Sequence, residues 1–317
     1  MNKKLLTNTQ IFEIKNYFSD KLCQKLNLSF VQAPLFLPAN NGVNDWLNGV
    51  EPPIIFKAKN NSSYEIIHSL AKWKRIKIGE YQIPLHNGIV TNMIAIRQTE
   101  DLDSIHSYLV DQWDWEMHIE KEDRNVKYLK NIVNKIAKSI YETQEFLCKK
   151  YSNLKRNIDS ANVTYITTQE LEDKYPDKTP KEREYLICNE NKGRLIFLMQ
   201  IGGKLKSGIS HDGRSTDYDD WTLNGDILVY NKAIKSSFEL SSMGIRVDAN
   251  SLKSQLHEKG MYEKAAKFSY HQNILSTKLP LTIGGGIGQS RLFMLLLNKK
   301  EIAEVQVSDF EDKKESL

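Results

Sequence analysis

The sequence predicts an α+β fold: a mainly antiparallel sheet flanked by helices. Three observations carry this. The strand-like runs do not alternate regularly with helical ones, as a doubly wound fold requires. Two of them, residues 88–97 and 108–116, are separated only by the polar stretch 98–107 and read as an antiparallel pair. Three more, 194–201, 226–230 and 238–247, follow one another late in the chain. At 317 residues the chain has room for about two domains or one large one, and no repeat or low-complexity stretch divides it. Apolar residues make up 40% and charged residues 26%, which supplies a sizeable core and excludes disorder for most of the chain. The net charge of +4 is diffuse. It permits an anionic small molecule such as a nucleotide and does not argue for a nucleic-acid partner.

The elements are justified in order. Thr7 is a plausible N-cap for a helix in which Ile11, Ile14, Phe18 and Leu22 recur at helical spacing. A short apolar run, 28–33, then stops at Pro34. Residues 64–67 read as a strand and 68–78 as a helix carrying Lys72, Lys74, Arg75 and Lys77, expected as a solvated face with one lysine turned inward. Val126, Leu129, Val133, Ile136 and Ile140 mark the clearest helix, a packing element. Helices are expected near 251–258 and 262–275, a last strand at 281–283, a tight glycine turn at 284–288 and an apolar helix at 290–297. The charged tail 309–317 reads as a frayed end. Cys23, Cys148 and Cys188 form neither a disulfide framework nor a zinc site. With no apolar run of membrane-spanning length and no leader-like h-region, a cytoplasmic protein without a membrane partner is expected.

The glycine cluster is the strongest chemical signal. A phosphate P-loop needs Lys-Ser/Thr after the last glycine, where Gln289-Ser290 stands. A dinucleotide fingerprint fails because Arg291 occupies the third glycine's place. What remains is Gly284-x-Gly286-x-Gly288-x-x-Arg291: small residues that admit a flat ligand, then a guanidinium able to stack on a purine.

That spacing resembles motif 3 of the class II aminoacyl-tRNA synthetases, over 281–298. The strand–loop–strand of 89–116, with Arg97 at its turn, resembles motif 2. The helix and strand of 1–35, ending at Pro34, resemble motif 1. Further strings sharpen the match: His68 to Arg75, Asp111 to Glu116, Asp217 to Trp221, Leu223 to Asp226 and Phe238 to Arg246. As a set they resemble the ammonia-dependent asparagine synthetases, aspartate–ammonia ligases built on a class II synthetase-like core. The resemblance implies one catalytic domain over 1–317, without an anticodon-binding or glutaminase domain, and a homodimer through motif 1. Trp221-Thr222-Leu223 is short where the family pattern has a longer loop, which suggests a trimmed lid.

The resemblance further implies ATP-dependent synthesis of asparagine from aspartate and ammonia through a β-aspartyl-adenylate. Arg97 would meet the α-phosphate, Asp226 and Glu239 would hold Mg²⁺, and Arg291 would stack on adenine beside Gly286 and Gly288. Lys74 and Arg246 would face the aspartate α-carboxylate and Asp114 its ammonium, with Ser242 and Asp219 in the pocket. Asp45 would hold or deprotonate ammonium and Gln112 would bond the nascent amide. Tyr218 and Trp221 read as packing or lid residues. The other reading is an aspartyl-tRNA-synthetase-like paralogue that activates aspartate for another acceptor, or binds it without making asparagine. The chemistry suits the residues. Adenylation builds charge on phosphate oxygens, which calls for fixed cations and Mg²⁺ rather than a covalent protein nucleophile.

Overall fold

The computed structural model describes residues 3–47 and 51–307, so the tail at 309–317 lies outside the described residues. Helix α1 (Lys3–Leu26) begins before Thr7, which sits inside it and donates its hydroxyl to the Lys3 carbonyl at 3.2 Å rather than capping the helix. Strand β1 (Leu28–Phe30) follows, then β2 (Phe36–Pro38), β3 (Ile55–Lys57) and β4 (Ser63–Ile66), which make a small antiparallel sheet of their own. Helix α2 (Ala71–Glu80), β5 (Gly88–Ile96), β6 (Leu109–His118) and the long helix α3 (Val126–Lys150) complete the first half. Then come β7 (Val163–Thr167), α4 (Thr168–Lys174), α5 (Pro180–Glu190), β8 (Leu195–Met199), β9 (Asp219–Asn231) and β10 (Ser236–Arg246). Helices α6 (Ala249–Glu258), α7 (Tyr262–Ala265) and α8 (Ser269–Leu275) lead to β11 (Thr282–Gly288) and α9 (Gln289–Leu296).

The main sheet has the order β1-β5-β6-β11-β10-β9-β8-β7. Only its outermost pairs, β1 with β5 and β7 with β8, are parallel, so the expected antiparallel character holds. Helices α1 and α3 cover one face. Ile14, Phe18 and Leu22 pack there with Val133, Ile136 and Ile140 over Trp113 and Trp115 of β6. Burying these side chains contributes on the order of 2 kcal/mol each. Asn125 caps α3 by accepting from Tyr128 N at 2.9 Å. The segment expected as one helix over 262–275 is two. The break sets the Phe268 ring 5.7 Å from Trp46. Helices α4 and α5 escape the hydrophobic periodicity, yet Thr167/Glu170 and Thr179/Glu182 form capping boxes that mark both starts.

Helix α2 departs most from expectation. Lys72, Lys74 and Arg75 are all buried, and only Lys77 stays near the surface, paired with Glu80. Distant acceptors explain this. Lys72 Nζ meets Asp217 Oδ2 at 2.7 Å, and Arg75 donates to the carbonyls of Pro280 at 3.0 Å and Val247 at 2.7 Å. Burial alone would raise the Asp217 carboxyl. The Lys72 ammonium and His271 beside it more than offset that and hold it well below the usual carboxylate range. A depressed native pKa stabilises the fold above the unfolded value near 3.8 and ceases to do so as pH falls through the native one. Asp217→Asn is therefore expected to cost about 3–5 kcal/mol at pH 7 by stranding Lys72. The gap to the parent should narrow below pH about 4, where the parent loses the same contribution. Urea melts of both proteins at pH 7 and in acid check this; a gap that does not change with pH contradicts it.

Candidate active site

The site forms on the sheet face opposite Trp113 and Trp115. Because strand side chains alternate, Gln112, Asp114 and Glu116 of β6 point together to that face. Register carries the row across the sheet: Asp114 lies beside Gly286 of β11, Gly286 beside Ser242 of β10, and Ser242 beside Asp226 of β9.

The glycines are not a turn. Gly284 to Gly288 run inside β11, and none of them has a positive φ. Their smallness serves close approach instead. A Cβ on Gly284 would stand 1.9 Å from Glu116 Oε2, and one on Gly286 2.0 Å from Gln112 Oε1. On the other face, a Cβ on Gly285 would stand 2.5 Å from Met243 Cβ. The strand is bare so that neighbouring polar side chains can lie across it.

Above this floor is a cleft of ≈ 610 Å³. Arg97, Gln112, Glu239, Ser242, Gly286, Gly288 and Arg291 line it, so seven of the sequence-predicted residues meet there. Arg97 stands at the end of β5, where its N–H donates to the Tyr108 carbonyl at 2.8 Å across the base of the 98–107 loop. Its Nε is buried and has no hydrogen-bond partner among the described residues. Arg291, in the first turn of α9, reaches Glu239 Oε2 at 3.4 Å.

Lys74, Asp114, Asp219, Asp226, Arg246 and Asp45 are not on the cleft wall; the first five are joined into one polar network through Glu116 and Arg214. Lys74 Nζ pairs with Asp114 Oδ1 and donates to the Trp115 carbonyl at 2.9 Å. Burial pushes the Lys74 ammonium down and the Asp114 carboxyl up. Asp114 Oδ2 is buried and without a partner among the described residues. Arg246, expected to face a substrate carboxylate, is enclosed by protein carboxylates. Its Nη2 meets Glu116 Oε2 at 2.8 Å, and its Nη1 pairs with Asp219.

Arg214 was not expected. It lines the cleft and joins Asp219 Oδ2 at 2.9 Å to Asp226 Oδ1 at 2.7 Å. It sits in the irregular connection before β9, where no periodicity marks it. Asp226 lies within β9 rather than at a strand start. Burial raises its carboxyl to about 7, and the Glu239 charge adds to this against the pull of Arg214.

Asp45 is buried, and its Oδ2 accepts from Ser69 Oγ at 2.7 Å and from Tyr218 Oη at 2.9 Å. Tyr218, expected only to pack or to cover, thus belongs to the site. Its ring lines the cleft, and burial together with the Asp45 charge pushes its phenol well above the usual range. Ser69 was missed as well, although it lies inside one of the quoted strings. Trp221 does pack, donating Nε1 to the Ser215 carbonyl at 3.0 Å. The expected loop at Trp221–Leu223 is a stretch of β9 with an irregular register against β10.

Known proteins agree with this architecture. The aspartate–ammonia ligase family model matches residues 5–317. The aspartate–ammonia ligase of Lactobacillus johnsonii is 51% identical over 305 residues, spanning 95% of this chain and 90% of that protein. That of Mycoplasmoides gallisepticum is 49% identical over 316 residues, 98% of this chain and 96% of that one. Among solved structures, asparaginyl-tRNA synthetase from Pyrococcus horikoshii complexed with asparaginyl-adenylate superposes with a TM-score of 0.68 at 14% identity, over 95% of this chain and 68% of that one. The asparaginyl-tRNA synthetase of Entamoeba histolytica gives a TM-score of 0.64 at 13% identity, over 96% of this chain and 66% of that one. The fold is thus that of the class II aminoacyl-tRNA synthetase catalytic core, and with near 50% identity along almost its whole length the chain belongs to the aspartate–ammonia ligase family.

Proposed function

We propose that the protein makes L-asparagine from L-aspartate, ammonia and ATP through a β-aspartyl-adenylate, releasing AMP and pyrophosphate. The observation that carries this is Asp114 Oδ2, buried without a partner among the described residues in a cluster of buried opposite charges. It adjoins a cleft walled by Arg97 and Arg291. Fixed charges of both signs suit a zwitterion, and the cleft suits a nucleotide. Asp114 receives the substrate ammonium, while Lys74 and Arg246 supply positive potential for the α-carboxylate. Asp219 holds Arg246 and Arg214 in place, and Ser242 offers a hydroxyl at the junction. The side-chain carboxylate is then left pointing into the cleft, where it attacks the α-phosphorus as the bond to pyrophosphate breaks. Arg97 stabilises the charge gathering on the phosphoryl oxygens. Arg291 stacks on adenine above the bare Gly286–Gly288 floor.

Mg²⁺ fits Asp226 and Glu239. The Glu239 charge adds to the cost of ionising Asp226, and a hard dication would relieve it. When bound, it would neutralise phosphate charge.

In the second step ammonium gives one proton to Asp45, which Ser69 and Tyr218 hold in place. The nitrogen attacks the acyl carbon, the bond to AMP breaks, and the remaining excess proton leaves with AMP. Gln112 bonds the new amide.

The test is an incubation with aspartate, Mg-ATP and ammonium. Asparagine with equal AMP supports the reading. Pyrophosphate exchange without asparagine would assign the adenylate to another acceptor, with tRNA first. Asp45→Asn is expected to retain aspartate-dependent pyrophosphate exchange while slowing amide formation by roughly 100-fold, the usual worth of a positioned base. Equal loss of both activities would make Asp45 an aspartate ligand or a structural residue.

A homodimer through α1 is part of the same proposal. Phe12, at 65% exposed, and Phe30, at 49%, leave apolar surface for a second copy. A cytoplasmic setting is supported by three unpaired cysteines and by the absence, among the described residues, of any helix long and apolar enough to cross a membrane.

A further inference from the structure

A second cavity of ≈ 230 Å³ opens on the far side of Asp45. Asp45, Asn44, Trp46, Glu51, Glu65 and Lys264 are on its wall. Glu51 also lines the main cleft, so the two spaces adjoin. Asp45 lies between them: it faces the smaller space, and its Oδ2 is bonded to Tyr218, whose ring faces the larger. We infer that this smaller cavity is the port through which ammonium reaches Asp45, separate from the opening used by ATP and aspartate. The inference rests on the proposed synthetase reaction.

Three features of the chamber favour a small cation. Its acidic wall brings Asp45, Glu51 and Glu65 to one space, with Lys264 the cation that shares it. Glu65 is 8% exposed and held rigid, its Oε1 accepting from Asn40 N at 2.8 Å and its Oε2 from Asn44 Nδ2 at 3.1 Å. Most telling is Trp46. The ammonium groups of Lys72 and Lys264 lie 4.4 and 4.5 Å from the centre of its ring system. An indole face attracts such a group electrostatically. Lys264 Nζ is thus a covalently tethered likeness of the substrate ion, lodged where that ion would pause. Ammonium would compete with this exposed lysine for the ring and then pass to Asp45. A separate port matters chemically, because once ATP and aspartate fill the main cleft the acyl carbon is covered on that side.

The experiment measures amide formation against ammonium concentration for the parent, Glu65→Gln and Lys264→Ala, with pyrophosphate exchange in parallel. Hydroxylamine, uncharged at neutral pH, serves as the control nucleophile. Glu65→Gln is expected to raise KM for ammonium by roughly three- to tenfold through loss of one nearby charge. Lys264→Ala is expected to lower it by roughly two- to threefold by freeing the indole face. Exchange and the hydroxylamine reaction should keep their parental constants. An ammonium KM unchanged in both variants overturns the port, as does an equal shift with hydroxylamine, which would signal a general structural effect. A parent protein that forms no asparagine overturns the functional reading and the port together.

Discussion

Arg97→Ala should abolish adenylation while leaving the fold intact. Arg97 faces the cleft at the turn between β5 and the 98–107 loop, and its buried Nε has no partner among the described residues. A buried guanidinium Nε–H without a partner among the described residues is available to an anion. Removing a fixed donor of this kind raises the barrier by about 3 kcal/mol or more, at least ~100-fold in rate. Because no ion pair seen among the described residues depends on Arg97, the urea midpoint should stay near the parent's. Aspartate-dependent ATP–pyrophosphate exchange measures the loss. Arg97→Lys retains the charge but not the planar fork, and should recover only part of the activity. Near-normal exchange in the alanine variant would remove Arg97 from the phosphate site.

Arg246→Met should act in the opposite manner, on stability first. Arg246 is 2% exposed and compensates Glu116 and Asp219 together. Taking it away leaves two carboxylates in a poorly solvated chamber, at an expected cost of about 3–5 kcal/mol. Arg214 remains on Asp219 at 2.9 Å, whereas Glu116 keeps the more distant Lys74 Nζ at 3.9 Å, so Glu116 bears the larger share of the penalty. Urea unfolding at neutral pH should show the midpoint falling. The double variant Arg246→Met with Glu116→Gln should recover part of the loss, since it removes the stranded charge along with its partner. A single variant as stable as the parent would mean that the Arg246 ion pairs contribute nothing to the fold.

These two arginines look alike in the sequence. Each sits at or near the end of a β-like run, and the resemblance assigns each a substrate anion. The structure separates them. One faces open space with an unused donor, whereas the other is surrounded by carboxylates from β6 and β9.

The sequence alone determined the elements whose signal is local. The 3.6-residue apolar repeat of α3 and the strand pair around 98–107 need only neighbouring residues to be legible. The glycine run and the strings around it were enough to identify the family, because close backbone approach can be met by very few residue types. Tertiary structure alone decided how the charges are arranged. Lys72 and Arg75 turn inward because Asp217, Val247 and Pro280 arrive from far along the chain. Arg214 and Tyr218 enter the site because an irregular connection lays them against Asp226 and Asp45. The glycines form a strand rather than a turn because Glu116 and Gln112 must cross them. Hydrophobic periodicity is a property of consecutive residues, whereas the partner that makes a buried charge tolerable is chosen by the fold, and no local pattern encodes it.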